Sequence, residues 1–202
     1  MMNFNDILRK TAFNPIDITI DGVTFRVGAT EEMPMCPLAL SLQSVKYDCD
    51  GKTLGGIVFA LSDIQRYLQC YGENFTKKFL AFIVGHEVGH LVNFKNDPPR
   101  FGGLNISVDR EAEADAWAMS HTKTSVYLYR RFMKALYDEV ERLNQDAIKA
   151  AAVVGVINKI DGFNYNRRIK AAIGKVKPGE ISQEVTDIVN FVVEVTKKTY
   201  SK

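Results

Sequence analysis

The chain has 202 residues, of which 46% are apolar and 25% charged, with a formal net charge of +2. That make-up belongs to an ordinary globular protein and excludes a fibrous or low-complexity chain. The small net charge argues against direct nucleic-acid binding, and no stretch approaches the ~20 apolar residues needed to cross a bilayer.

The opening residues carry an early Asp6 and no uninterrupted apolar run, so they do not read as a signal peptide. Residues 3–11 suit a short helix. Ile16 to Val27 reads as a hairpin, because Ile-Asp-Ile-Thr-Ile and Val-Thr-Phe-Arg-Val alternate on either side of Asp21-Gly22. A second strand pair is expected at Leu38 to Asp48 and Thr53 to Leu61, turning near Asp50-Gly51. The first part of the chain is thus a small, mostly antiparallel sheet. Ser62 suits an N-cap for a helix over Asp63 to Cys70 that stops near Gly72. Phe75 to Phe94 predicts a longer helix, apolar nearly all round and therefore buried. Lys95 to Asn105, with Asp-Pro-Pro and Gly-Gly, is a loop. Ser107 or Asp109 starts a helix that runs to about His121. Helices over 124–143, 145–160, 165–173 and 181–198 follow, with Gly174 to Gly179 as a linker.

Strands first and helices after make an α+β order. Residues 1–121 form the expected core and 122–202 a helical extension packed on it as one domain. The basic pairs Lys77-Lys78, Arg130-Arg131, Arg167-Arg168 and Lys197-Lys198 read as solvated helix faces. Cys36, Cys49 and Cys70 form neither a disulfide framework nor a C-x-x-C metal site. They fit free thiols in a reducing compartment, and a cytoplasmic location is expected.

Two of the three histidines of the chain lie in His86-Glu87-Val88-Gly89-His90. Positions four apart share one helical face, so both imidazoles can hold one ion. Glu87, rotated to the edge of that face, is placed to take a proton from a water that the ion has acidified. A catalytic zinc needs a third protein ligand and an open position. Arg110-Glu111-Ala-Glu-Ala-Asp115-Ala-Trp117-Ala offers it. Glu111 and Asp115 are again four apart, and two like charges at that spacing call for a cation between or above them. In this reading Glu111 binds zinc, and Asp115 accepts the second N–H of a ligand histidine and sets its tautomer. Glu113 is expected to face solvent. His121 reads as a core or surface histidine. Tyr127 and Tyr129 are two of several candidates to stabilise an oxyanion. Gly85 and Gly89, poor choices for a helix interior, suit either close approach of two helix backbones or room for a bulky neighbour.

His-Glu-Val-Gly-His followed by Glu-Ala-Glu-Ala-Asp resembles the gluzincin clan of zinc metallopeptidases, with H-E-x-x-H and then E-x-x-x-D on a following helix. Glu111 to Ala118 also resembles the signatures of the CAAX prenyl-peptidase and ImmA/IrrE families. Asn166-Arg-Arg-Ile169 resembles the R-I element of CAAX-peptidase-like proteins, though the usual preceding His-Pro is missing. The resemblance implies a zincin-like fold, with zinc on His86, His90 and Glu111, Glu87 as general base and Asp115 behind the ligands. It also implies that the strand before the active-site helix is an edge that pairs with an extended peptide. Gly56, Ile57, Val58 and Phe59 occupy that place, and an ordinary core strand is the alternative. The activity so implied is hydrolysis of a peptide or protein substrate. A non-catalytic zinc scaffold, with the helical C-terminal third as its interaction surface, is one competing reading. A prophage-type regulator that cleaves a specific repressor is another.

Overall fold

The computed structural model describes residues 16–31, 39–43, 54–96, 107–145 and 165–201. Four strands form one sheet: β1 (Ile16–Ile20), β2 (Val23–Thr30), β3 (Ala39–Gln43) and β4 (Leu54–Ala60), in the order β1-β2-β4-β3. β1 and β2 are the expected hairpin. Asp21 and Gly22 both take positive φ, 49° and 67°, as a two-residue turn matched to the strand twist requires. β3 pairs antiparallel with β4, again as expected, whereas β2 and β4 run parallel. The sheet is therefore mixed.

This order overturns one expectation. β4, which carries Gly56, Ile57, Val58 and Phe59, is an interior strand with β2 on one side and β3 on the other. Its main-chain donors and acceptors already have partners, so it cannot add a peptide strand. The core-strand alternative holds, and all four residues are buried.

Six helices follow among the described residues: α1 (Leu61–Tyr71), α2 (Glu73–Asn96), α3 (Val108–His121), α4 (Val126–Gln145), α5 (Tyr165–Lys175) and α6 (Gln183–Tyr200). α1 starts at Leu61, with Ala60 in the cap position two residues before the expected Ser62 and without a side-chain cap. Ser107 does cap α3, accepting from the Arg110 amide. The expected helix at 3–11 lies outside the described residues, as do the helix at 145–160 beyond Gln145, where α4 ends, and the loop from Lys95 to Asn105 beyond Asn96, where α2 ends. So do Cys36, Cys49 and the turn at Asp50-Gly51.

Val23, Phe25, Val27 and Ala29 of β2 alternate onto one face with Ile57 and Phe59 of β4. They meet Phe79, Phe82, Ile83 and Val84 of α2 in a single apolar cluster. Tyr129, Phe132 and Met133 of α4 and Val185, Val189 and Val192 of α6 join the same cluster, and α6 packs on α1 and α2 while α5 packs on α3. Among the described residues, no helix is long and apolar enough to cross a membrane.

Candidate metal centre

α2 is buried along most of its length, with Phe79, Leu80, Phe82, Val84, Val88 and Leu91 at most 1% exposed. Its two glycines set its distance from α3. A Cβ on Gly89 would lie 3.0 Å from both Cα and the carbonyl oxygen of Ala114, and one on Gly85 would lie 3.1 Å from Ala118 Cα. These are backbone atoms that cannot swing aside, so the close-approach reading of the glycines holds. The alanines of α3 complete the fit, and the two helices bring their polar residues within bonding range.

His86 Nε2 and His90 Nε2 are 3.0 Å apart. Glu111 Oε2 lies 3.5 Å from the first and Glu111 Oε1 3.3 Å from the second. His86, His90 and Glu111 thus offer three ligand atoms within 4.8 Å of one another, a group able to hold a metal ion. His86 is buried, while His90 and Glu111 are partly exposed. Glu87 projects between them in sequence, partly exposed, with no ion-pair partner among the described residues.

Behind the ligands, Asp115 is fully buried. Its Oδ1 accepts from His86 Nδ1 at 2.8 Å and from Arg168 Nη2 at 2.8 Å. Its Oδ2 accepts from Arg168 Nε at 2.6 Å and from the Tyr129 hydroxyl at 2.7 Å. A carboxylate has about four lone-pair sites, and here each is in use. Burial pushes the Asp115 carboxyl up, but the Arg168 guanidinium and the His86 hydrogen bond outweigh it and hold it well below the usual carboxylate range. An ionised Asp115 can only accept, so the hydrogen of this contact sits on His86 Nδ1. A neutral His86 then presents a bare Nε2 lone pair to Glu111 and His90.

Burial also raises the Glu111 carboxyl, yet the contact with His90 and the charge of Arg168 bring it down to about 2. Arg168 Nη1 lies 3.0 Å from Glu111 Oε2. Two carboxylates and one guanidinium leave the pocket one positive charge short of balance when both histidines are neutral. A buried net charge is costly, so the centre calls for a further cation. A proton on His86 is one answer. Burial opposes it, but Asp115 and Glu111 together raise His86 above the ordinary histidine range. A metal ion is the other.

No family model, curated protein or solved structure matches the chain. The remaining residues singled out from the sequence fall into place on geometry. Glu113 does not simply face solvent, because it accepts from Lys175 of α5 at 3.1 Å. His121 is no ligand: its Nδ1 donates to the Trp117 carbonyl and its ring stacks on Trp117 at 4.0 Å. Tyr127 is 69% exposed on the surface, and the Tyr129 hydroxyl is committed to Asp115, so neither points to an oxyanion.

Arg168 belongs to this centre, against the solvated-face reading of the Arg167-Arg168 pair. Arg167 is exposed, whereas Arg168 is 6% exposed and sits on the same α5 face as the fully buried Ala172. The signal was its register. Arg168, Ile169, Ala172 and Ile173 keep the i, i+4 spacing of an apolar stripe, with an arginine where an apolar residue belongs.

Proposed function

We propose that the protein is a zinc-dependent peptidase, with His86, His90 and Glu111 as metal ligands and Glu87 as general base. The convergence of two imidazole nitrogens and one carboxylate, with the far nitrogen of His86 fixed by Asp115, carries this reading. Two histidines and a glutamate suit zinc better than the harder magnesium or calcium ions, which favour all-oxygen sets. Among the described residues three groups converge and not four, which favours an open, catalytic site over a closed, structural one.

A bound zinc ion would supply Lewis acidity, polarising the scissile carbonyl and acidifying a water. Glu87 accepts the proton of the attacking water on its carboxylate and returns it to the leaving nitrogen. Asp115 keeps His86 in the tautomer whose Nε2 is free to bind. Since β4 is interior, the edge strand beside α2 among the described residues is β3, which packs against this helix. Strand addition there is the mode of peptide binding that this reading takes. Cys70 is an exposed free thiol, in keeping with a reducing compartment such as the cytoplasm.

Metal analysis of protein purified without chelators tests the proposal, with about one zinc per chain expected. Glu87→Gln should retain the metal and lose cleavage of a peptide library. Protein that carries no metal and takes none up on titration would sink the proposal.

A further inference from the structure

Arg168 reaches the centre from α5, a helix 53 positions beyond Asp115 in the chain. Three of its nitrogens are engaged, each by a different carboxylate oxygen. Nε and Nη2 grip the two oxygens of Asp115 at 2.6 and 2.8 Å, and Nη1 meets Glu111 Oε2 at 3.0 Å. A guanidinium is planar and its N–H groups diverge in a fixed fork, so this one group dictates how the two carboxylates stand relative to each other.

The two carboxylates depend on it unequally. Asp115 has His86 and Tyr129 as further donors. Glu111 is the longer side chain, and apart from Arg168 its ion-pair partners among the described residues are the two imidazoles that it would share with the ion. Arg168 is therefore the group that immobilises Glu111 before an ion arrives. Its side chain is 8% exposed and its nitrogens face the carboxylates, so it acts through other residues and not on a substrate.

We propose that Arg168 is a positioning residue, which grips Asp115 through two hydrogen bonds and Glu111 through an ion pair and so preorganises the centre for its ion. This inference rests on the reading of His86, His90 and Glu111 as metal ligands. It makes α5 a part of the metal centre, although it contributes no ligand.

The test uses the full chain and zinc affinity measured by competition with a chromophoric chelator. Arg168→Met should bind zinc about 10- to 100-fold more weakly than the unaltered protein, the usual loss when a group behind the ligands is removed. Arg168→Lys should not rescue it, because a single ammonium cannot span both carboxylates. Arg167→Met, one position away on the exposed face, should bind as the unaltered protein does. Low millimolar guanidinium should restore affinity to Arg168→Ala, and the same concentration of ammonium should not. A role in folding alone would not give that pattern. Should the variants fail to fold, the unaltered protein decides. With nitrogen-15 in its arginines, the Arg168 Nε–H signal should exchange slowly with water and shift as zinc is added. Unaltered protein that binds no zinc overturns the metal reading, and this inference with it. Zinc binding that is unchanged in Arg168→Met, or an Nε–H signal indifferent to bound zinc, overturns this inference alone.

Discussion

Replacing Gly89 by alanine would place a methyl group 3.0 Å from Cα and the carbonyl oxygen of Ala114 and 3.1 Å from Trp117 Cβ. Ordinary carbon contacts lie at about 3.5–4.0 Å, so α2 and α3 must part by several tenths of an ångström. Overpacking of this kind costs about 1–3 kcal/mol. Alanine returns about 1 kcal/mol, because glycine is the poorer helix former. The net change is a destabilisation of about 0–2 kcal/mol. The separation also falls on the metal centre, because Ala114 lies between Glu111 and Asp115 on α3. The His86–Asp115 hydrogen bond, 2.8 Å long, stretches towards the limit of a useful contact, and zinc affinity should fall about tenfold. Gly174 in α5 is the control, because a Cβ there meets nothing within 4 Å. Gly174→Ala should leave zinc binding alone and stabilise by up to about 1 kcal/mol. Urea denaturation in chelator, with zinc titration alongside, reads both quantities. A Gly89→Ala protein as stabilised as Gly174→Ala, with unchanged zinc affinity, would refute the close-approach argument.

Two further outcomes follow from the charges. Asp115→Asn leaves the buried Arg168 with Glu111 as counter-ion but without its two-pronged partner, and should cost up to about 3–5 kcal/mol; combined with Arg168→Met, it should cost less than the sum of the two single changes, with a coupling of about 0.5–3 kcal/mol in a denaturation cycle, and strict additivity would contradict the pairing. Glu73 accepts from Lys197 and Lys77, which bring its carboxyl from 4.5 down to about 2. The folded value is the lower one, so the contribution is complete above about pH 4.5 and lost as pH falls towards 2; Glu73→Gln should flatten the acid limb of a stability curve in that window, and added salt should shrink the difference.

Much of the centre could be read from residue spacing because its main parts are local. His86 and His90 lie four apart on one helix, as do Glu111 and Asp115, and helical geometry alone puts each pair on one face. The hairpin was equally local, set by Asp21-Gly22 between alternating strands. What spacing could not supply was pairing at a distance. Whether β4 is an edge depends on where β3 and β2 settle, and β2 runs parallel to β4 across the intervening β3 segment. The partner of Asp115 was hidden for the same reason. Arginine is most often exposed, and the apolar register of α5, with the R-I resemblance at Asn166 to Ile169, marks Arg168 as an exception. Tyr129 is an oxyanion candidate by sequence, but its hydroxyl donates to Asp115.

The boundary after residue 121 cuts through the centre in physical terms. Asp115 precedes it, while two of the groups that satisfy Asp115, Tyr129 and Arg168, follow it on α4 and α5. α5 has few apolar anchors: Ala172 is fully buried, with Ile169, Ala171 and Ile173 only partly so. A buried ion pair is weak evidence of net stabilisation, because the desolvation of both charges offsets their attraction. The docking of α5 is then poised by Arg168, the two carboxylates and whatever cation completes the charge. An ion that binds only the assembled centre stabilises it by mass action, about 2.7 kcal/mol at a hundredfold excess over its dissociation constant. If the centre holds an ion, metal affinity and the packing of α5 form one linked equilibrium, and a change in either should appear in the other.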